Sequence, residues 1–239
     1  MSPSLSLTII IPLHQEAEGV PALAERMRLF LEDEAQGRTI DLVLVDDGST
    51  DDTRSLLEDR FANLPHTLLH HDDNRGLTEA LSTGLSVARG ELIGWLDSDL
   101  TYDPLLLLRL ADIVEEGADL ALASCYHPQG ALVGVPGWRS LISRIASRGY
   151  RLATGLPLHT YTSMVRVWRR EALEACKPRR RGFAGVTESL LLALIQGRRV
   201  EEWPASMCRR RRGQSKMRVI RVGLEHLGLM VWATRVRRR

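Results

Sequence analysis

Residues 91–99 read Glu-Leu-Ile-Gly-Trp-Leu-Asp-Ser-Asp, an apolar run that ends in two aspartates. A short apolar run of this kind predicts a buried strand. The spacing of Asp97 and Asp99 projects two carboxylates from neighbouring backbone positions. Hard cations such as Mg²⁺ or Mn²⁺ take such oxygens and keep further positions for phosphate oxygens. The pair alone is weak evidence, since two aspartates in a surface turn are common.

Two earlier segments have the same construction as residues 91–99. Residues 9–16 (IIIPLHQE) and 42–50 (LVLVDDGST) each pass from an apolar run to a polar tip. In open α/β sheets, ligands bind in the crevice outside the carboxyl ends of the strands. Three polar strand ends therefore favour a crevice for a nucleotide and a metal.

Strand and helix patterns alternate along the first half of the chain, which predicts an α/β fold with a mostly parallel, doubly wound sheet flanked by helices. The predicted strands cover residues 5–11, 40–45, 66–71, 91–96 and 118–124. After residue 126, glycines and prolines at 130–137 predict a flexible connection. Further helices are predicted at 138–153, 169–176, 183–196 and 217–234, with extended segments at 164–168 and 199–208.

The charges of the chain are separated between its two halves. Among 239 residues with a net charge of +2, residues 1–126 hold 8 Lys and Arg against 24 Asp and Glu, and residues 127–239 hold 24 against 6. A single charge run is usually a solvated face, but a phosphate-bearing substrate held through a metal needs both signs. A nucleic-acid partner is not expected, because aromatic residues make up only 5% of the chain and such surfaces use aromatic stacking.

The cysteine spacing and the first residues of the sequence predict a protein with reduced thiols. Cys125, Cys176 and Cys208 show no C-x-x-C spacing and predict free thiols in the cytoplasm. Residues 1–12 lack the basic and small-residue features of a signal peptide. No uncharged apolar stretch approaches the ~18–20 residues needed to cross a bilayer.

The chain resembles the family 2 glycosyltransferases of the GT-A fold over roughly residues 5–217. Within that family it is closest to the branch of dolichol-phosphate mannosyltransferases and bacterial polyprenyl-phosphate glycosyltransferases. The motifs that carry the resemblance are PLHQE (12–16), DDGSTDDT (46–53), NRGLTEALSTGLSVARG (74–90), LDSDLTYDP (96–104), RVWRREAL (166–173) and RRRRGQSK (209–216). The resemblance implies an inverting, metal-dependent enzyme with Mg²⁺ or Mn²⁺ as cofactor. It would move a sugar from a nucleotide-sugar donor to a polyprenyl phosphate acceptor.

The resemblance also implies roles for individual residues of the donor site. Pro12, His14 and Glu16 would contact the base and ribose, although Glu16 could instead serve as a helix N-terminal carboxylate. Val45 and Asp47 occupy the base-binding strand end, Asp46 would brace the turn, and Ser49 or Thr50 could also cap the following helix. Asp97, Asp99 and Thr101 would face the metal, with Ser98 beside the nucleotide. Arg210 and Lys216 would neutralise the donor phosphates.

On the acceptor side, Arg139 and Ser143 would take the acceptor phosphate. With Asp97, Asp99, Arg210 and Lys216, Arg139 completes the implied catalytic set. The chain departs from the family at His14, Gln15 and Thr160, and Ser124-Cys125-Tyr126 lacks a phosphate-binding arginine. Two alternatives stay open: a transferase that acts on a hydroxyl with Glu188 as base, and a catalytically silent nucleotide-sugar-binding or membrane-interaction module.

The last residues are expected to be either part of the same domain or a membrane-contact extension of it. Residues 1–216 are expected to be the GT-A domain, and residues 217–239 an amphipathic helix with a basic tail. Ile220, Leu224, Leu227 and Val231 fall on one face, and arginines follow. Such a helix lies in the interface of an anionic membrane, which predicts peripheral attachment to the cytoplasmic face. The alternative is a helix that closes the core of the domain.

Overall fold

Strands and helices alternate in the computed structural model, which describes residues 4–35, 37–135, 137–210 and 219–237. The strands are β1 (Leu7–Leu13), β2 (Ile40–Asp46), β3 (Thr67–His70), β4 (Leu92–Trp95), β5 (Leu120–Ser124), β6 (Ala131–Val133), β7 (Arg166–Arg169), β8 (Val200–Pro204) and β9 (Ser206–Cys208). The helices are α1 (Val20–Leu29), which a π-helical turn over Phe30–Glu34 extends, α2 (Thr53–Arg60), α3 (Leu77–Val87), α4 (Leu106–Glu115), α5 (Gly137–Thr154), α6 (Arg170–Ala175), α7 (Gly182–Ile195) and α8 (Val219–Arg237).

The main sheet has seven strands in the order β3-β2-β1-β4-β7-β5-β8. Strand β1 runs parallel to β2, from Leu7 opposite Ile40 to Leu13 opposite Asp46, and parallel to β4. This arrangement confirms the mostly parallel sheet. The exception is β7, which lies antiparallel between β4 and β5 and separates them. The carboxyl ends of β1, β2 and β4 therefore share one edge.

Alternate residues of each buried strand face opposite helical layers, as the two-residue period of a strand requires. Ile9 and Ile11 pack with the layer of α1, α2 and α4, whereas Ile10 packs with the layer of α3, α5, α6, α7 and α8. All three side chains are fully buried. Because both faces of the sheet are covered, β1 is a continuous apolar run, which is the pattern that made it visible in the sequence.

Residues 131–133 differ from their predicted role as part of a flexible connection. They form β6, which pairs in parallel with β9, Ala131 opposite Ser206 and Val133 opposite Cys208. A three-residue strand has no detectable period, and its partner lies some 75 residues further along the chain, so the sequence pattern did not reveal it. The pairing carries the segment after Cys208 back toward the end of β4, since the Cys208 N–H donates to the Thr101 carbonyl at 2.8 Å.

Helix α8 packs against α5 and α7. Leu229 and Ala233 are buried, and His226 Nδ1 lies 2.6 Å from the Tyr150 hydroxyl. The opposite face exposes Leu224, Leu227 and Val231, whose exposed fractions are 65%, 58% and 51%. The helix thus closes the core and also presents an apolar outer face, whereas the Ile220 side chain lies outside the described residues. Among the helices that the structure describes, none has the length and apolarity to cross a membrane.

Helix α3 crosses the sheet at Gly84, where a Cβ atom would lie 2.4 Å from Cγ2 of Ile10. We expect Gly84→Ala to lower the free energy of unfolding by about 1–2 kcal/mol, because overpacking of a closed core outweighs the gain in helix propensity. Urea unfolding measures it. The matched control is Gly223→Ala in α8, where a Cβ meets nothing within 4 Å and stability should be unchanged or slightly higher. Equal stability of the two variants would contradict the packing argument.

Candidate functional site

The loop after β1 is tied to the loop after β2 by side-chain hydrogen bonds. The Gln15 N–H donates to Ser49 Oγ at 2.9 Å, and its side-chain amide donates to Thr50 Oγ1 at 2.6 Å. Gln15 has a φ of 56°, a left-handed conformation that a non-glycine residue adopts only under constraint. Ser49 and Thr50 therefore hold the first loop, and α2 begins after Asp52 without a side-chain cap from them.

Both aspartates of the second motif are buried and brace loops. Asp46 Oδ1 accepts the Ser49 N–H at 3.2 Å, which is the bracing role predicted for it. Asp47 accepts the backbone N–H groups of Arg75 and Gly76 at 2.9 and 2.8 Å, and its Oδ1 lies 2.7 Å from His71 Nδ1. Asp47 thereby fixes the loop that precedes α3. Val45 is fully buried in the core, and contact of either residue with a base stays a prediction.

The carboxylates of Asp97 and Asp99 stand at the carboxyl end of β4, at the edge that they share with the loops after β1 and β2. Burial and the neighbouring Asp99 charge raise the pKa of Asp97 to about 8. Asp99 Oδ1 accepts the Thr101 N–H at 3.1 Å, and Leu100 between them has a φ of 55°. Two close carboxylates that repel each other are a fitting donor set for a hard divalent cation.

The described residues hold no cluster of three or more His, Cys, Asp or Glu that could bind a metal by itself. A cation on Asp97 and Asp99 would need further ligands, for which Thr101, water and a phosphate-bearing substrate are candidates. Mg²⁺ and Mn²⁺ are commonly held by one or two carboxylates plus substrate phosphates. The side chains of Ser98 and Thr101 flank the pair, Ser98 partly exposed and Thr101 buried.

Arg210 joins the basic half of the chain to this acidic edge. Its guanidinium forms an ion pair with Glu16, and its Nη1 lies 4.0 Å from Asp99 Oδ2. The Arg210 charge opposes the rise in the pKa of Asp97. Glu16 thus pairs with an arginine that stands beside the carboxylate pair, and its contact with the base or ribose stays a prediction.

A second cation, Arg166, lies behind the pair and was missed by the sequence reasoning. It is fully buried on β7; its Nη1 donates to the Val186 carbonyl at 2.9 Å, and its Cζ lies 5.6 Å from the centre of the Trp95 ring. Burial lowers the pKa of Arg166 to about 9, and its charge lowers the pKa of Asp97. The available signal was a lone arginine inside the apolar run Met164–Trp168.

The predicted acceptor residues are only partly described. Ser143 Oγ on α5 lies 3.1 Å from Oγ1 of Thr162, in the segment before β7. The backbone of Arg139 belongs to α5, but its side chain lies outside the described residues, as does the whole of Lys216. Pro12 and His14 are half-buried at the end of β1. The structure therefore brings Asp97, Asp99, Arg210 and Glu16 together and leaves the placement of Arg139 and Lys216 side chains as predictions.

Glu188 was the candidate base of the hydroxyl-directed alternative. Its buried carboxylate accepts the N–H groups of Arg179 and Arg180, both at 2.7 Å, through one oxygen, and the other oxygen lies 3.8 Å from Arg180 Nε. These contacts hold the segment before α7 in place. The recorded contacts of Glu188 are therefore those of a structural anchor.

Comparison with known proteins identifies relatives over most of the chain. A family model described as "Glycosyl transferase family 2" matches residues 8–176. The chain is 30% identical to a polyprenol monophosphomannose synthase of Mycolicibacterium smegmatis over 90% of its own length and 82% of that protein. It is 28% identical to a dolichol-phosphate mannosyltransferase of Pyrococcus furiosus, of which it spans 60%. An undecaprenyl-phosphate 4-deoxy-4-formamido-L-arabinose transferase of Yersinia enterocolitica is 33% identical, with half of its length covered.

Solved structures share the fold. Glucosyl-3-phosphoglycerate synthase from Mycobacterium tuberculosis, in complex with Mn²⁺, UDP and glucosyl-3-phosphoglycerate, superposes with a TM-score of 0.71 at 16% identity. The match covers 96% of this chain and 80% of that one. The complex of the same protein with UDP gives a TM-score of 0.72 at 17% identity. At these identities the likeness establishes the GT-A fold and leaves the substrates of this chain open.

The raised pKa of Asp97 predicts a pH dependence of stability. Its folded value of about 8 exceeds the unfolded value of about 3.9, so the folded state holds a proton that the unfolded state has lost. Stability of the metal-free protein should fall as pH rises from about 5 to 8, on the order of 2 kcal/mol after allowance for screening. Asp97→Asn should remove this decline in urea unfolding.

The control for that measurement is Asp59→Asn, a surface aspartate whose side chain is 71% exposed. Its unfolding curves should follow those of the unmodified protein at both pH values. Parallel pH profiles for Asp97→Asn and the unmodified protein, measured in a metal chelator, would show that Asp97 is ionised already at low pH.

Proposed function

The chain belongs to glycosyl transferase family 2, and we propose that this glycosyltransferase moves a sugar from a nucleotide-sugar donor to the phosphate of a polyprenyl phosphate. The observation that carries the proposal is the carboxylate pair Asp97 and Asp99 at the end of β4, faced by Arg210 from the basic half. The named activities of three relatives, all lipid-phosphate sugar transferases, support the acceptor class.

Asp97 and Asp99 would hold Mg²⁺ or Mn²⁺, with Thr101 and Ser98 beside them. The bound cation would supply positive charge to the diphosphate that leaves the sugar. Burial and the neighbouring Asp99 charge raise the pKa of Asp97, and a bound cation would offset the repulsion between the two carboxylates. Because the donor diphosphate would share this cation, the binding of the cation and the binding of the donor would be coupled.

Arg210 and Lys216 would stabilise the negative charge that grows on the donor diphosphate, and a pre-placed cation does this without reorganisation. Arg210 is held by Glu16 and lies 4.0 Å from Asp99, and this position supports a contact between Arg210 and donor phosphates on the metal. Glu16 would then orient Arg210. A contact of Glu16 with the ribose would use a further lone pair of the same carboxylate.

The base and ribose would lie across the ends of β1 and β2. Pro12 and His14 line the first strand end, and Val45 and Asp47 the second. Asp47 already accepts the N–H groups of Arg75 and Gly76. It would therefore support nucleotide binding in two ways, by holding that loop in position and by accepting hydrogen bonds from the nucleotide. Ser98 would lie beside the diphosphate.

A phosphate acceptor is already anionic at neutral pH and needs positioning in place of a general base. Arg139 and Ser143 on α5 would supply this positioning, since arginine binds phosphate in a bidentate manner. Direct attack of the phosphate oxygen on the anomeric carbon, with departure of the nucleoside diphosphate, would invert that centre. The saturated contacts of Glu188 weigh against a hydroxyl acceptor that depends on this carboxylate.

A lipid acceptor requires contact with a membrane surface, and we place that contact on the outer faces of α5 and α8. The two helices pack side by side. Their exposed apolar side chains are Leu141, Ile142, Ile145, Leu152, Leu224, Leu227 and Val231. Arginines that follow residue 234 would attract an anionic leaflet, about 1 kcal/mol each. Residues 217–239 would thus attach the domain of residues 1–216 peripherally to the cytoplasmic face.

Asp99→Asn tests the catalytic proposal. We expect transfer to a polyprenyl phosphate to fall roughly a hundredfold or more, and Mn²⁺-dependent nucleotide binding in a thermal-shift panel of UDP-, GDP- and CDP-sugars to disappear. The control is Asp103→Asn. The Asp103 carboxylate forms an ion pair with Arg26 at 2.5 Å and does not belong to the pair of Asp97 and Asp99. Turnover that is unchanged in Asp99→Asn would remove the centre of the proposal, and metal-dependent binding without any transfer would indicate a silent module.

Vesicle flotation tests the membrane contact. The triple variant Leu224→Gln, Leu227→Gln, Val231→Gln should lose most of its association with anionic vesicles, because it removes apolar area from the outer face of α8 and leaves Leu229 and Ala233 buried. The control is Leu105→Gln, an exposed leucine before α4 in the opposite helical layer. Flotation of the triple variant at the level of the unmodified chain would exclude α8 as the contact.

A further inference from the structure

A cavity of about 380 Å³ opens between the carboxyl end of β5 and helix α5. Only β7 separates β5 from β4 in the sheet, so the cavity lies on the same edge as the carboxylate pair without including it. Its basic lining consists of Arg144, Arg148, Arg151, His127 and His159. No role in the donor site or in the predicted acceptor set falls on any of these five residues.

The three arginines line the cavity from one side of α5, because residues four and seven positions apart share a helix face. Arg151 is anchored, with its Nε and Nη2 donating to the Leu158 carbonyl at 3.2 and 2.9 Å. The Arg144 guanidinium carbon lies 5.3 Å from the centre of the Tyr126 ring. Within the described part of the chain, no carboxylate forms an ion pair with Arg144 or Arg148. A bound anion would therefore offset the repulsion between the Arg144 and Arg148 charges.

The two histidines add oriented ring nitrogens to the opposite wall. His127 Nδ1 accepts the Gln129 N–H at 3.2 Å, which leaves the proton on Nε2 as a donor in the neutral ring. His159 Nδ1 lies 2.9 Å from Glu202 Oε2, and the two rings meet edge to face at 5.2 Å. Glu202 is the acidic group behind this wall, and its oxygens also accept the N–H groups of His159 and Thr160.

The turn that carries His127 is built against the strand end with no spare room. A Cβ on Gly130 would lie 2.6 Å from the Ser124 carbonyl oxygen and 2.9 Å from the Cys125 carbonyl carbon. The Gly130 N–H also donates to the His127 carbonyl at 2.8 Å. The turn that carries His127 is therefore fixed by backbone packing against the end of β5.

We propose that this cavity binds a phosphate monoester, through Arg144 and Arg148 with His127 as a further donor. The guanidinium fork matches phosphate oxygens in a bidentate manner, and a dianion offsets the like charges on α5. In terms of the proposed function, on which this part rests, the bound group is the phosphate of the acceptor, and Arg144 and Arg148 would bind it together with Arg139 and Ser143 of the same helix. The phosphate is carried either by a lipid or by a water-soluble molecule.

Calorimetric titration with inorganic phosphate tests the cavity without any assay of transfer. We expect the double variant Arg144→Gln, Arg148→Gln to lose at least tenfold in phosphate affinity, and Arg144→Lys, Arg148→Lys to regain part of it. The control is Arg54→Gln, a surface arginine that is 61% exposed and paired with Glu58, and it should bind as the unmodified chain does. Phosphate affinity that survives in the double variant and disappears in Arg210→Gln would place the bound phosphate at the donor site and overturn the proposal.

Kinetics then separate this proposal from the proposed function. With transfer to a short-chain polyprenyl phosphate, the double variant should raise the acceptor KM at least tenfold and change the donor KM less than twofold. An unchanged acceptor KM would overturn the assignment of the cavity to the acceptor. Absence of transfer to any polyprenyl phosphate by the unmodified chain would overturn the proposed function alone, and the calorimetry would still decide the cavity. Tighter calorimetric binding of the polyprenyl phosphate than of glycerol phosphate identifies a lipid source, and the reverse identifies a soluble one; both outcomes support the cavity.

Discussion

The parallel register of β1 with β2 and β4 is the constraint on which the rest of the site depends. It brings the carboxyl ends of three strands to one edge of the sheet, and the residues that follow each strand are acidic or polar. Because these strand ends are fixed, negative charges lie close together at this edge. Burial and the neighbouring Asp99 charge raise the pKa of Asp97 to about 8. An arrangement that repels itself in this way is held together by the surrounding core and is ready to accept a cation.

Positive charge from the second half of the chain balances this edge from two directions. Arg210 follows β9, whose pairing with β6 directs the chain toward this edge, and its guanidinium is held by Glu16. Arg166 approaches from behind, on the antiparallel strand β7, with its guanidinium buried against backbone carbonyls. The charge separation along the sequence is thus a consequence of topology: the second half supplies the strands and loops that face the acidic edge.

The acceptor side shows how one helix can serve several tasks. Helix α5 carries Ser143 beside Thr162, three arginines that line the cavity beside β5, and exposed apolar side chains such as Ile145 and Leu152. The likeness to glucosyl-3-phosphoglycerate synthase extends to the fold alone.

The features that depend on local sequence pattern could be predicted without the structure. Buried parallel strands are continuous apolar runs, so β1, β2, β4 and β5 and the carboxylates at their ends, Asp97 and Asp99 among them, were predicted within one or two residues. Only the tertiary structure decided the insertion of β7 between β4 and β5, the pairing of β6 with β9, the two cations beside Asp97 and the cavity on α5. Each of these joins residues that are tens of positions apart, and no local period records such a contact.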